Sequence, residues 1–164
     1  MKKYRTVTVG CLVSLSALLL STAPANAGNI SSHGCSAAAT NGSDASKLTC
    51  ASSGLVNTGS SSPINVTMPI ARVATTAGGS QNVYIDGYTQ SYSAAMACFL
   101  ATIDDHGYLL TTKSFNTPAN NGNTGRNWEV SLSLTGAEAP VWSYMALQCS
   151  LPSGVFLQGV AVSY

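Results

Sequence analysis

The chain has 164 residues, with only seven Lys or Arg and six Asp or Glu side chains spread along it. A chain with so little charge and no basic run lacks a surface for nucleic acid or for an anionic membrane, and we expect neither as a partner. Its length fits one domain.

Residues 1–27 have the pattern of a secretory signal peptide. A basic start precedes an apolar stretch from Val7 to Leu20, and Ala25-Asn26-Ala27 forms an A-x-A cleavage site. The apolar stretch is too short for a retained membrane helix. We therefore expect a secreted or periplasmic protein with no membrane insertion after cleavage. Four basic and six acidic side chains remain beyond the signal, so the mature part is mildly acidic.

Four cysteines follow the predicted signal peptide, Cys35, Cys50, Cys98 and Cys149. An even number in an exported chain indicates two disulfides, for which three pairings are possible. We favour Cys35–Cys50, which would hold the Ser/Ala/Thr-rich segment 28–54, and Cys98–Cys149, since both of the latter lie in apolar strand-like runs. We expect the second bridge to cross the core between two sheets.

A metal site is the rival use of these cysteines. None of them has C-x-x-C spacing, and neither His33 nor His106 completes a ligand set with a cysteine pair. We therefore expect no metal and no cofactor.

The region 55–164 alternates between short apolar runs and turn signals. In the first run, Ile64, Val66 and Met68 share one parity, as expected of a half-buried strand. An Asn-rich loop follows at 116–127, and Asp104 to Gly107 is predicted to be a hairpin connection. The predicted strands are residues 64–70, 82–88, 94–103, 108–112, 128–134, 141–149 and 155–164.

About seven to eight short strands without a helical period predict an all-β fold. We expect a disulfide-stapled antiparallel β-sandwich, immunoglobulin-like or jelly-roll-like, with a small barrel as the alternative.

The order of these features resembles a group of small exported bacterial proteins of undefined activity. The resemblance covers residues 54–164 and is carried by GLVNTGSSSPINVTMPIAR, by Asp-x-x-Gly at Asp104 to Gly107, and by YMALQCSLP. It implies a secreted β-sandwich with no catalytic residues to transfer. Similar proteins carry a cysteine where this chain has Met68, which leaves the pairing of Cys35 and Cys50 more open than that of Cys98 and Cys149.

The only cluster of titratable groups in the sequence is Asp104-Asp105-His106. A carboxylate beside an imidazole can act as an acid, a base or a ligand. The competing interpretation is a solvated hairpin tip, where Asp and Gly occur for turn geometry. We favour the tip, because active sites draw groups from several loops.

Aromatic side chains are the better candidates for binding. If Cys149 points inward, then Val141, Met145 and Leu147 do too, and Trp142 and Tyr144 lie on the opposite face. Tyr84 and Tyr88 are likewise opposite Val83 and Ile85. Such rings can stack on sugars or anchor a protein partner, or can belong to a second buried sheet face.

The sequence thus predicts a secreted or periplasmic binding or structural module without catalysis, whose partner is a protein or a glycan. One alternative is a small secreted hydrolase that uses Asp104, Asp105 and His106. A second is a small outer-membrane β-barrel, because the closing strand that ends at Tyr164 resembles the last strand of such barrels.

Overall fold

A computed structural model describes residues 30–59, 61–71, 80–90 and 93–163. The predicted signal peptide and Tyr164 lie outside the described residues. No helix in the described part of the chain is long and apolar enough to cross a membrane.

In these described ranges, eleven strands form two antiparallel sheets, which confirms the all-β sandwich. The expected count of seven to eight strands was too low, because residues 30–57 contribute four short strands. These have little alternation of their own. β1, β2 and β4 are held by pairing with longer strands, and β3 pairs with β4. The strands are β1 Ile30–His33, β2 Ala38–Ala39, β3 Leu48–Ala51, β4 Gly54–Asn57, β5 Ile64–Ile70, β6 Gln81–Thr89, β7 Ala97–Ile103, β8 Leu109–Asn116, β9 Arg126–Leu134, β10 Tyr144–Leu151 and β11 Val155–Ser163.

The sandwich consists of sheet A and sheet B. Sheet A has the strand order β3-β4-β11-β6-β9, and β1 also pairs with β11. Sheet B has the order β2-β5-β10-β7-β8. Two short 3-10 helices, Gly34–Ser36 and Gly42–Lys47, lie between the first three strands.

The core lies between the two sheets and is built by alternation. Sheet B contributes Met68, Leu100 and Leu147, and sheet A contributes Ile85 and Leu157, each with an exposed fraction of 1% or less. Because alternate side chains of each strand point outward, each sheet also has an outer face.

Both disulfides have the pairing that the sequence favoured. The expectation that Cys98–Cys149 crosses the core was wrong, because these two residues are direct partners on neighbouring strands β7 and β10 of sheet B. Their Cα atoms are 4.1 Å apart, the close approach of a non-hydrogen-bonded antiparallel pair. Cys35–Cys50 ties the first 3-10 helix to β3.

Strand β10 begins three residues later than predicted. Val141 and Trp142 lie in a turn, and Ser143 closes it by donating both its backbone N–H and its hydroxyl to the Pro140 carbonyl, at 2.9 and 2.8 Å. The expected inward position of Val141 was therefore wrong, since strand alternation applies only from Tyr144 onward. Val141 is exposed.

Candidate functional site

The outer face of sheet B carries a groove of about 490 Å³. Its floor is formed by two adjacent rows of outward side chains, which are paired directly across the strands. We call it the sheet B groove. The first row consists of Ser114, Phe99 and Gln148. The second row consists of Asn116, Ala97, Ser150 and Asn65.

Phe99 is the outward aromatic ring of this groove, whereas Phe115, which also lines it, packs against the core. Its neighbours Cys98 and Leu100 are buried in the core, so alternation turns the ring outward, where 36% of the residue is exposed. Gln148 lies directly beside it on β10, and Ser114 lies beside it on β8. A large apolar ring is therefore surrounded by uncharged polar side chains.

None of the described residues that line the groove has a charged or titratable side chain. Each Asn and Gln amide offers both hydrogen-bond donors and an acceptor, and each Ser hydroxyl can do either. A general acid or base needs a group that titrates. This arrangement can therefore bind a polar ligand, and its lining side chains supply no general acid or base.

Trp142 and Tyr144 lie at the other end of the same face. Both are exposed, at 50% and 65%, and they line a second cavity of about 540 Å³ with Pro69 and Ala71. Tyr144 is outward on β10 and pairs with Ile103 of β7. The structure thus places these two predicted binding residues together and in solvent.

Tyr84 and Tyr88 lie on the opposite side of the molecule, on the outer face of sheet A. Both are partly buried, and the Tyr88 ring packs edge-on against Phe156 with centroids 5.9 Å apart. The four aromatic residues predicted for binding therefore form two separate pairs, one on each outer face.

Between these two tyrosines, Asp86 pairs directly with Glu129 of β9. Burial is the main cause that raises the pKa of Asp86, followed by the charge of the Glu129 carboxylate and a hydrogen bond between the two side chains. The pair lines a shallow groove of about 560 Å³ with Gln158. Sheet A thus presents acidic groups where sheet B presents neutral ones.

Asp104, Asp105 and His106 lie at the exposed tip between β7 and β8. The Asp104 carboxylate accepts the backbone N–H groups of His106 and Tyr108, at 2.9 and 2.6 Å. His106 Nδ1 is 2.9 Å from the Asp105 carboxylate, and ligand atoms of all three residues lie within 4.8 Å of one another. Asp104 therefore shapes the turn, and the cluster stands in solvent away from both grooves.

Sequence reasoning missed Phe99 and its amide neighbours. The run from Ala94 to Ile103 is apolar on both parities, which concealed the outward ring. Gln148 becomes a neighbour of this ring, and Asn65 joins the same groove, only through strand register. The sequence does contain one signal for Phe99. If Cys98 and Leu100 point into the core, strand alternation turns the side chain between them outward.

No protein-family model and no curated protein matches the sequence. Among solved structures, the xylan-binding module CBM15 aligns with 12% identity and a TM-score of 0.43, over 84% of this chain and 96% of that chain. The enzymatically active domain of bacteriophage CBA120 tailspike protein 4 has 17% identity and a TM-score of 0.36, over 61% of this chain.

An isomalto-dextranase of Arthrobacter globiformis T6, complexed with panose, aligns with 12% identity and a TM-score of 0.35, over 61% of this chain. This chain spans only 16% of that structure and 13% of the tailspike structure. Likeness at these identities and TM-scores carries no argument about ligand or activity.

Proposed function

We propose that this chain is an exported carbohydrate-binding module without catalytic activity, and that its ligand lies in the sheet B groove. Export rests on the predicted signal peptide and fits the two disulfides, which persist in oxidising compartments. The observation that carries the proposal is the exposed Phe99 ring among amide and hydroxyl side chains.

A sugar ring has an apolar C–H face and a rim of hydroxyl groups. Phe99 offers a flat apolar surface for that face, and Gln148, Asn65 and Asn116 offer donors and acceptors for the hydroxyls. A protein partner would favour a broader apolar centre than a single ring bordered by amides. The groove therefore suits a glycan better than a protein.

The absence of titratable groups from the groove lining supports binding rather than hydrolysis. Glycoside hydrolysis ordinarily uses two carboxyl groups that flank the scissile bond. The paired carboxyl groups Asp86 and Glu129 lie on the other sheet, and Asp104 and Asp105 lie at the hairpin tip.

Binding to a glycan array, followed by calorimetry on the retained glycans, tests the proposal. Phe99→Ala should weaken binding at least about tenfold, because the ring supplies the apolar contact; tenfold corresponds to about 1.4 kcal/mol. Tyr108→Ala is the matched control, since Tyr108 is an exposed aromatic residue outside the groove. No retained glycan, or an equal loss in both variants, contradicts the proposal.

A further inference from the structure

The proposed function leaves open which glycans fit, and the outer face of sheet B extends well beyond the groove. Resting on that function, we infer that the ligand is a neutral polysaccharide bound along its length, from the sheet B groove to Trp142 and Tyr144. The two ends of this path are two aromatic subsites on one continuous face.

Both subsites lie on the same side of strand β10. Gln148, beside Phe99, and Tyr144 differ by four positions and therefore share a parity. At a rise of about 3.3 Å per residue, they are roughly 13 Å apart along the strand. A single sugar ring cannot reach both, whereas a chain of several sugars can.

The row between the subsites has small side chains on its two middle strands. It pairs Ala101 of β7 with Ala146 of β10, flanked by Thr112 and Pro69. Ala146 is partly buried and Ala101 is only 3% exposed, so neighbouring side chains rather than the Ala101 methyl group form the surface there. Neither alanine side chain projects between the two aromatic subsites.

Among the residues that the structure describes, those lining the two ends of this path are uncharged. Neither the lining of the sheet B groove nor that of the cavity at Trp142 and Tyr144 contains Asp, Glu, Lys, Arg or His. A polyanionic chain would find no counter-charge there, whereas neutral hydroxyl groups find amides. The path therefore favours a neutral polymer over an acidic one.

Both ends of the path lie among exposed residues. Asn65 and Asn116 are exposed at the groove end, and Trp142 and Tyr144 are exposed at the other. A module that captures a chain terminus needs a wall that stops the chain. In the described part of the chain, each subsite is bordered by exposed side chains, so the site suits the interior of a chain.

Calorimetry with oligosaccharide ladders tests the inference on the wild-type protein. The probes are neutral β-1,4-linked oligomers of glucose, mannose or xylose, from disaccharide to hexasaccharide, and a matched ladder of oligogalacturonides. We expect the affinity for a neutral ladder to rise with length until both subsites are spanned and then to level off. The oligogalacturonides should bind at least about tenfold more weakly.

The double variant Trp142→Ala/Tyr144→Ala isolates the second subsite. It should reduce the affinity for the longest neutral oligomer about tenfold, to that of the short ones, and leave the short ones unchanged. Tyr108→Ala again serves as the control, and circular dichroism verifies the fold of each variant.

The outcomes separate this inference from the proposed function. An affinity that is independent of length but lost in Phe99→Ala overturns the extended site and retains the glycan-binding module. Equal or tighter binding of oligogalacturonides overturns the neutral ligand. If the folded wild type binds neither these ladders nor any glycan on the array, the proposed function itself fails.

Discussion

The aromatic side chains on the two outer faces of the sandwich differ in their exposure to solvent. On sheet A, Tyr84 and Tyr88 are partly buried, and Tyr88 packs against Phe156. On sheet B, Trp142 and Tyr144 stand in solvent. Alternation along a strand tells which face a ring occupies, but the exposure of the ring depends on its neighbours on adjacent strands and loops.

The faces also differ in charge. Sheet A places Asp86 opposite Glu129, whereas the lining of the sheet B groove carries no charge. A neutral face with free rings suits sugar hydroxyls, and an acidic face with packed rings suits them less. The following experiments test this contrast, starting with the largest expected effect.

Removing the sheet B disulfide should affect stability and binding together. In the chain-entropy model, a closed loop of 51 residues contributes about 4 kcal/mol to the free energy of unfolding. Cys98 adjoins Phe99, so Cys98→Ala/Cys149→Ala should also loosen the groove and reduce glycan affinity. Denaturant unfolding and calorimetry measure the two effects.

The N-terminal disulfide provides the comparison. Cys35→Ala/Cys50→Ala opens a loop of 15 residues and should cost about 3 kcal/mol, with glycan affinity unchanged because neither cysteine lines the groove. A larger loss of affinity in this variant than in the sheet B variant would contradict the position of the site.

Gly87→Ala should destabilise sheet A. Gly87 pairs with Trp128 across β6 and β9, and an added methyl group would overlap the indole ring. Overpacking of this kind typically costs about 1–3 kcal/mol. Thermal unfolding should show this loss, while Gly42→Ala, where an added methyl group meets no atom within 4 Å, should unfold close to wild type.

Asp86→Asn should stabilise the protein at neutral pH and not at low pH. The pKa of Asp86 is raised in the folded protein above its ordinary value of 3.8, so the folded state holds its proton more tightly than the unfolded state. The free energy of unfolding therefore falls as pH rises from 3.8 through the raised pKa of the folded state, and it stays lowered at higher pH. Like charges directly opposite each other cost roughly 0.2–1 kcal/mol, which Asn relieves.

Glu138→Gln is the control with the opposite sign. A hydrogen bond from the Thr135 backbone N–H, followed by one from Lys113, lowers the pKa of Glu138 below its ordinary value of 4.5. This contribution to stability is present above pH 4.5 and disappears as pH falls through the folded value. Chemical unfolding from pH 3 to 7 should show that the change in the free energy of unfolding caused by each substitution has opposite pH dependence in the two variants. The same pH dependence in both would refute the opposite pKa directions of Asp86 and Glu138.

His106→Ala should have the smallest effect. The residue is exposed at the hairpin tip, and its imidazole lies 2.9 Å from the carboxylate of the neighbouring exposed Asp105. We expect stability to change by less than about 0.5 kcal/mol and glycan binding to stay the same. Hydrolysis of a glycan by the wild type that disappears in this variant would favour the hydrolase hypothesis instead.

The sequence by itself determined the all-β class, the disulfide pairs and most of the long strands. Alternation at Ile64, Val66 and Met68 identified β5 because one face of a sheet must be apolar. The short strands between residues 30 and 57 escaped this reasoning, since they are held by pairing with β11, β5 or, for β3, with β4 rather than by their own pattern.

Only the tertiary structure decided where the candidate site lies. Trp142 and Tyr144 were predicted as a pair, but Phe99, Gln148 and Asn65 come from three strands that are distant in sequence. Their proximity depends on the register between β5, β10 and β7, which local alternation does not specify. Strand register is a property of pairing between segments, so the groove emerges only when the sheets assemble.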